Sequence, residues 1–362
     1  MRGSGSTLNR NSQEDHSFDV MKTITSQSVH SPSKFHRSPS RLALVFVTSI
    51  ACLTFFASVC GALPSDAAIR KAVQKSIPYV ETKGVYWIEK KACVSCHRVG
   101  NMVWALSLAR RNHFQVSDKL DEWIQWAVEQ SLSTNDKGKI VGHGNKEGVS
   151  QLLIGLSNTE ISPENRKALV SLLPEAQKQD GSWKPGGQLP SQKRPESETT
   201  TVSTMWLTLA LLSAGSPKGD PVVPLATKAI EASPRGTSIE WYALRLLLAI
   251  QAEEVQSSEE FVDALCNLQR DDGGWGWLVD DESDALGTGL ALYALSKAGL
   301  KHSTPQFGRA KAFLIKTQRA DGSWPVNGTK KAKKDRLEET AVCWGTTWAV
   351  IGLMTGLTEQ GD

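Results

Sequence analysis

The sequence predicts an all-α protein built as a single α6/α6 toroid, a ring of six helical hairpins, and three observations lead there. A seven-residue string recurs as "QKQDGSW" (Gln177 to Trp183), "QRDDGGW" (Gln269 to Trp275) and "QRADGSW" (Gln318 to Trp324). Each copy is followed by an Ala- and Leu-rich helical pattern: "VSTMWLTLALLSAG", "LGTGLALYALSKAG" and "TTWAVIGLMTGL". Glycines 84, 138, 181, 236, 273 and 322 each precede such a pattern and lie about 48 residues apart on average, the sequence signature of stacked helix pairs.

Taken in order, residues 1–41 are rich in Ser, His, Asn and basic side chains without apolar periodicity, so they read as a disordered leader. Residues 42–63 form an uncharged apolar run behind Arg37 and Arg41, with small residues at Cys60 and Ala62. That is the pattern of an export signal, and it is also long enough to cross a bilayer as a signal anchor. Either reading places the body, residues 66–360, outside the cytoplasm of a bacterial-type cell, periplasmic or anchored facing outward.

The leader carries six basic and three acidic residues, which is the whole formal net charge of +3 and leaves 35 of each sign for the rest. A neutral body without a basic stripe argues against nucleic acid as a partner. The run "TKKAKKDRLEE" reads as a solvated loop. Outside the export segment only Cys93, Cys96, Cys266 and Cys343 remain, too few for a disulfide scaffold.

Within the body, the first helix of each pair has one apolar stripe, as in Leu120, Trp123, Ile124, Ala127 and Val128, and belongs in an outer ring. Ser162-Pro163 and Thr304-Pro305 combine a capping hydroxyl with a proline at the first helical position, and Ser257 with Glu260 suggests a capping box. The second helices are apolar nearly all round and suit an inner ring about a central cavity. Between the two, Asp-Gly supplies a tight turn with glycine at positive φ, while the Gln and Trp of the string tie neighbouring helices together.

The stretches "RAKAFLIKTQRADGSW" (Arg309 to Trp324) and "FVDALCNLQRDDGGW" (Phe261 to Trp275) resemble the QW repeat of squalene-hopene and oxidosqualene cyclases, whose toroid also serves protein prenyltransferases. The resemblance covers most of residues 66–360, sharply in three copies and loosely in three. It implies the toroid and an apolar, possibly isoprenoid, ligand in the central cavity, faced by Trp206, Trp241, Trp344 and Trp348. Full cyclases are about twice as long and protonate their substrate from an Asp-x-Asp-Asp motif, whereas the corresponding string here is "VDDESDA". Full cyclase activity is therefore not expected.

Acids recur at the starts of inner helices: Glu198, Glu282 with Asp284, and Glu339. They either complement helix dipoles or form a ring of acids at the cavity mouth, in which Glu282 and Asp284 are the candidate general acids.

In the first repeat that place is held by Cys93-Val-Ser-Cys96-His97. Two thiols three apart followed by an imidazole is the spacing for covalent haem c, with Cys93 and Cys96 attached to the porphyrin and His97 on iron. Met102 is too near in sequence to be the opposite ligand, leaving His143 or Met205, and a haem implies a redox partner. The alternatives are a Cys93–Cys96 disulfide, a zinc site of Cys93, Cys96, His97 and Cys343 brought together by ring closure, or buried thiols beside a capping histidine. Toroidal prenyltransferases carry catalytic zinc on an Asp, Cys, His set whose pattern is absent here. A toroid binding a small molecule or peptide without catalysis is the remaining functional alternative.

Overall fold

The computed structural model describes residues 63–91, 94, 96–187, 189–215, 221–355 and 357, with the backbone alone at Cys96. The leader, the export segment up to residue 62, and Cys93 lie outside these. Among the described residues no helix is long and apolar enough to cross a membrane.

Twelve α-helices and no β-strand make up the described chain. The odd-numbered helices are α1 (Asp66–Lys91), α3 (Leu120–Leu132), α5 (Pro163–Ser171), α7 (Val222–Glu231), α9 (Val255–Asn267) and α11 (Pro305–Thr317). The even-numbered ones are α2 (Asn101–Arg111), α4 (Lys146–Gly155), α6 (Glu196–Ser213), α8 (Ile239–Gln251), α10 (Ala285–Lys297) and α12 (Glu339–Met354).

Burial separates the two sets as the apolar patterns require. Helix α9 buries only Phe261 and Leu265, whereas α10 buries every residue from Ala285 to Leu295. The even helices each pack on the next, and α12 packs back on α2, so the inner ring closes. Helix α1 lies against α11 and α12, which joins the chain's first hairpin to its last.

The recurring loops make these joints, and the glutamine bonding is the same in all three. Gln177, Gln269 and Gln318 each donate from Nε2 to the glycine carbonyl of their own loop, Gly181, Gly273 and Gly322. The same amide also donates to the next outer helix, at the carbonyls of Val222, Gln306 and Ala72 respectively. Trp275 and Trp324 donate from Nε1 to Leu265 and Leu314 on the preceding outer helix, and their backbone N–H groups donate to Thr288 and Thr346 on the following inner helix. One loop thus satisfies the polar ends of three helices, which buried backbone requires.

Several sequence expectations are corrected. Gly84 lies inside α1, where an added Cβ would stand 2.1 Å from the Met102 sulfur, and not in a loop. Ser257 falls within α9 and caps nothing. Ser162 does cap α5, accepting from Asn165 N at 3.2 Å, but the hydroxyl of Thr304 makes no cap bond despite the proline after it.

The central hollow is also narrower than the helical pattern suggests. Trp104 (α2), Trp206 (α6), Tyr293 (α10) and Trp348 (α12) meet across the ring, with centroids 5.3–6.4 Å apart and mostly edge-to-face, the arrangement that aromatic quadrupoles prefer. These rings pack the axis, so Trp206 and Trp348 form core and not the wall of a ligand channel. Open space remains at the end of the ring where the inner helices begin.

Candidate functional site

All six inner helices start at that end, so their positive dipole ends gather at one mouth and favour acids there. The acids nevertheless do different work. Glu198 accepts four hydrogen bonds, from the backbone N–H and hydroxyl of both Thr237 and Ser238, fixing the start of α8. Glu338 caps α12 through Ala341 N at 3.0 Å. Glu339 is exposed and pairs with Lys83 at 2.7 Å.

Asp284, one of the candidate acids, caps α10. Its Oδ1 accepts from Gly287 N at 2.8 Å and its Oδ2 from Trp277 N at 2.9 Å. Burial pushes its carboxyl up to about 6, against the pull of those two N–H groups. Glu282 is exposed and, with Asp281, Asp284 and Asp335, lines an acidic groove of about 630 Å³. Neither carboxylate lines the cavity that holds His97, so ring closure does not join the early cysteine motif to these acids as expected.

His97 follows Cys96 in a π-helical turn, Cys96–Gly100, that leads into α2. Its ring stands edge-on to Trp344 at 4.1 Å. Burial, and then the positive charges of Arg194, Lys330 and Arg98, push its pKa down to about 3. The imidazole is thus held neutral, the form in which a histidine ligates metal. It lines a cavity of about 320 Å³ with Trp87, Val94, Leu189, Gln192 and Lys330, among others. Gly144 and Gly187 leave bare backbone on the wall, with nothing within 4 Å of where a Cβ would stand.

Cys343 is buried on α12, and burial pushes its thiol up to about 11 with the Arg98 guanidinium pulling the other way. Among the described residues no group of three His, Cys, Asp or Glu side chains is placed to hold a metal. Two members of the zinc set, Cys93 and Cys96, have side chains outside those residues. Of the other candidate iron ligands, Met205 is fully buried in the core, while His143 lines an adjoining cavity and contacts Glu175 at 2.5 Å.

The sequence reading missed the buried charges beneath the mouth. Arg194, from the loop before α6, bonds Glu240 of α8 at 2.7 Å, with both side chains 0% exposed. Glu240 also accepts from Trp206 Nε1 at 2.9 Å, and Arg194 lies 5.3 Å from the Trp277 ring. Glu147 of α4 is 4% exposed and accepts from the Ser203 hydroxyl at 2.8 Å. Burial, reinforced by the charge of Glu240, pushes its carboxyl up to about 7.

This raised value fixes the sign of a pH effect. Between the ordinary 4.5 and about 7 the folded chain holds a proton on Glu147 that the unfolded chain has released, so this group's contribution to stability falls as pH rises. Glu147→Gln removes that slope. The variant should match wild type near pH 4.5 and become progressively more stable than it as pH rises to about 7, read from urea unfolding at several pH values.

No protein-family model matches the chain, and no curated protein is a significant match. Its similarity is to solved structures. A family 88 glycosyl hydrolase from Bacteroides vulgatus superposes with TM-score 0.53 at 10% identity, covering 81% of this chain and 99% of that one. An unsaturated glucuronyl hydrolase mutant from Streptococcus agalactiae gives 0.54 at 12% identity, over 81% and 91%. A polysaccharide lyase gives 0.51 at 11%, over 80% and 96%. These are α/α toroids; at such identities the likeness establishes the fold.

Proposed function

We propose that the protein is an exported or membrane-anchored toroid of the squalene cyclase-like type that carries one haem c at the mouth of its ring and acts in electron transfer with a redox partner. One observation carries the reading: His97, last residue of the Cys93-x-x-Cys96-His97 motif, presents a neutral, half-buried imidazole to a cavity at the mouth. Cys93 and Cys96 would hold the porphyrin by thioether bonds and His97 would be the axial ligand. Trp87, Val94 and Leu189 offer apolar walls, the bare glycine backbone offers room for a flat group, and Lys330 offers a cation to carboxylates. What a bound haem supplies is a one-electron couple. With the axis packed by aromatic rings, any further apolar ligand has its place at the mouth as well.

Expression with a cytochrome c maturation system tests this. The expected result is a Soret band that stays with the polypeptide after denaturation and is lost in Cys96→Ala. A colourless protein with stoichiometric zinc would overturn it in favour of the Cys93, Cys96, His97, Cys343 site, and a protein with neither would favour a toroid that binds its ligand without a metal.

A further inference from the structure

Beside the His97 cavity, and sharing Gly144, Asn145, Gly186, Gly187 and Leu189 with it, lies a second cavity of about 350 Å³ that the haem reading does not use. Glu147, Ser203, Trp183 and Leu207 are among its lining, with Lys146 and Lys184 also on it. Glu147 and Ser203 are both almost fully buried and joined to each other, yet Glu147 Oε1 has no hydrogen-bond partner. Gln151, one turn along α4 from Glu147, has neither amide atom paired.

A second observation comes from the repeat itself. Trp275 and Trp324 place their indole N–H on the carbonyl of the preceding outer helix. Trp183 holds the same position in its loop and donates its backbone N–H to Thr204 in the same way, but its Nε1 is buried without a partner. The outer helix before it, α5, is only 9 residues long, against 13 for both α9 and α11. The internal symmetry is therefore broken at the loop that lines the cavity, and an indole donor is left over. Each buried polar group without a partner costs about 1–3 kcal/mol, a cost recovered when a bound molecule supplies the missing partner.

We infer that this cavity binds a hydroxylated molecule of single-sugar size, its hydroxyls bonding Glu147, Ser203 and the Trp183 indole and its carbon face packing on Leu207. Hydroxyls suit the set because each both donates and accepts. An aromatic and aliphatic wall with a few convergent polar groups, in a volume near the lower end of the 300–1,000 Å³ usual for ligand sites, is the common construction of a small-molecule pocket. Lys184, exposed on the lining, would add a contact to a carboxylate borne by such a molecule. The inference stands whether or not haem is attached.

The test is isothermal titration and saturation-transfer NMR on the full-length protein with D-glucose and D-glucuronate as the neutral and anionic probes. At least one should bind. Trp183→Phe removes the unpaired N–H together with the five-membered half of the buried indole, so its melting temperature without sugar should fall modestly through lost packing while affinity falls about tenfold; Ser203→Ala should weaken binding similarly. Lys184→Ala should weaken D-glucuronate alone. Binding of neither probe to wild type would overturn the inference, as would affinities unmoved by both Trp183→Phe and Ser203→Ala.

Discussion

Arg194→Met should destabilise the fold by about 3–5 kcal/mol, because it takes the guanidinium partner from the Glu240 carboxyl in a site with no access to water. The guanidinium also donates from Nε to Thr199 and from Nη1 to Ser238, hydroxyls that each lose one contact and keep those to Pro195 and Glu198. Met matches the volume of the lost side chain, which separates the electrostatic loss from a packing loss. The double variant Arg194→Met with Glu240→Gln should recover much of the stability, since the amide keeps an acceptor for Trp206 Nε1 without a buried charge. Urea unfolding of the two single variants and the double variant gives the coupling directly. An Arg194→Met protein as stable as wild type would show that the pair does not hold the mouth together.

The other large effect is expected at the seam between the first and last hairpins. Gly322 has φ +85°, and a Cβ there would stand 2.2 Å from the Lys75 carbonyl oxygen on α1. Gly322→Ala therefore meets two penalties: about 1–2 kcal/mol for left-handed backbone, and about 1–3 kcal/mol for pushing α1 away from a packed joint. Gly299 isolates the first penalty, having φ +78° with nothing within 4 Å of its Cβ position. Gly299→Ala should cost only the backbone term, and Gly322→Ala roughly twice as much. Equal thermal shifts in the two variants would contradict the close joint.

The ring was legible because its information is periodic. A 3.6-residue apolar stripe on one helix and an all-round apolar surface on the next specify outer and inner places, and the repeated Gln, Gly and Trp mark the joints between them. What escaped was not periodic. Arg194 lies in an irregular loop, and no spacing rule places it beneath the mouth beside Glu240. Glu147 and Glu240 stand at the second position of α4 and α8, where the same comparison that drew out Glu198 would have found them; their copies lack the Gln-to-Trp string, so the correspondence was hidden. Asp284 was a candidate acid because acids recur at the starts of inner helices, a pattern that a helix-end role and a ring of acids share, and the positions of the Gly287 and Trp277 N–H groups identify it as a cap. The axial rings were misjudged for a related reason: helical patterns report that a residue faces inward, not whether its partners from three other helices leave any room.

Gln318 reaches Ala72 and Ser76 across 246 and 242 residues of chain, so the joint that completes the ring is also among its most non-local contacts. Contacts of that separation carry the greatest loop-closure entropy and slow folding. A polypeptide made from its N-terminus exposes the flank of its opening hairpin until the final one arrives. The last docking event is therefore what covers His97, whose ring stands edge-on to Trp344 of α12.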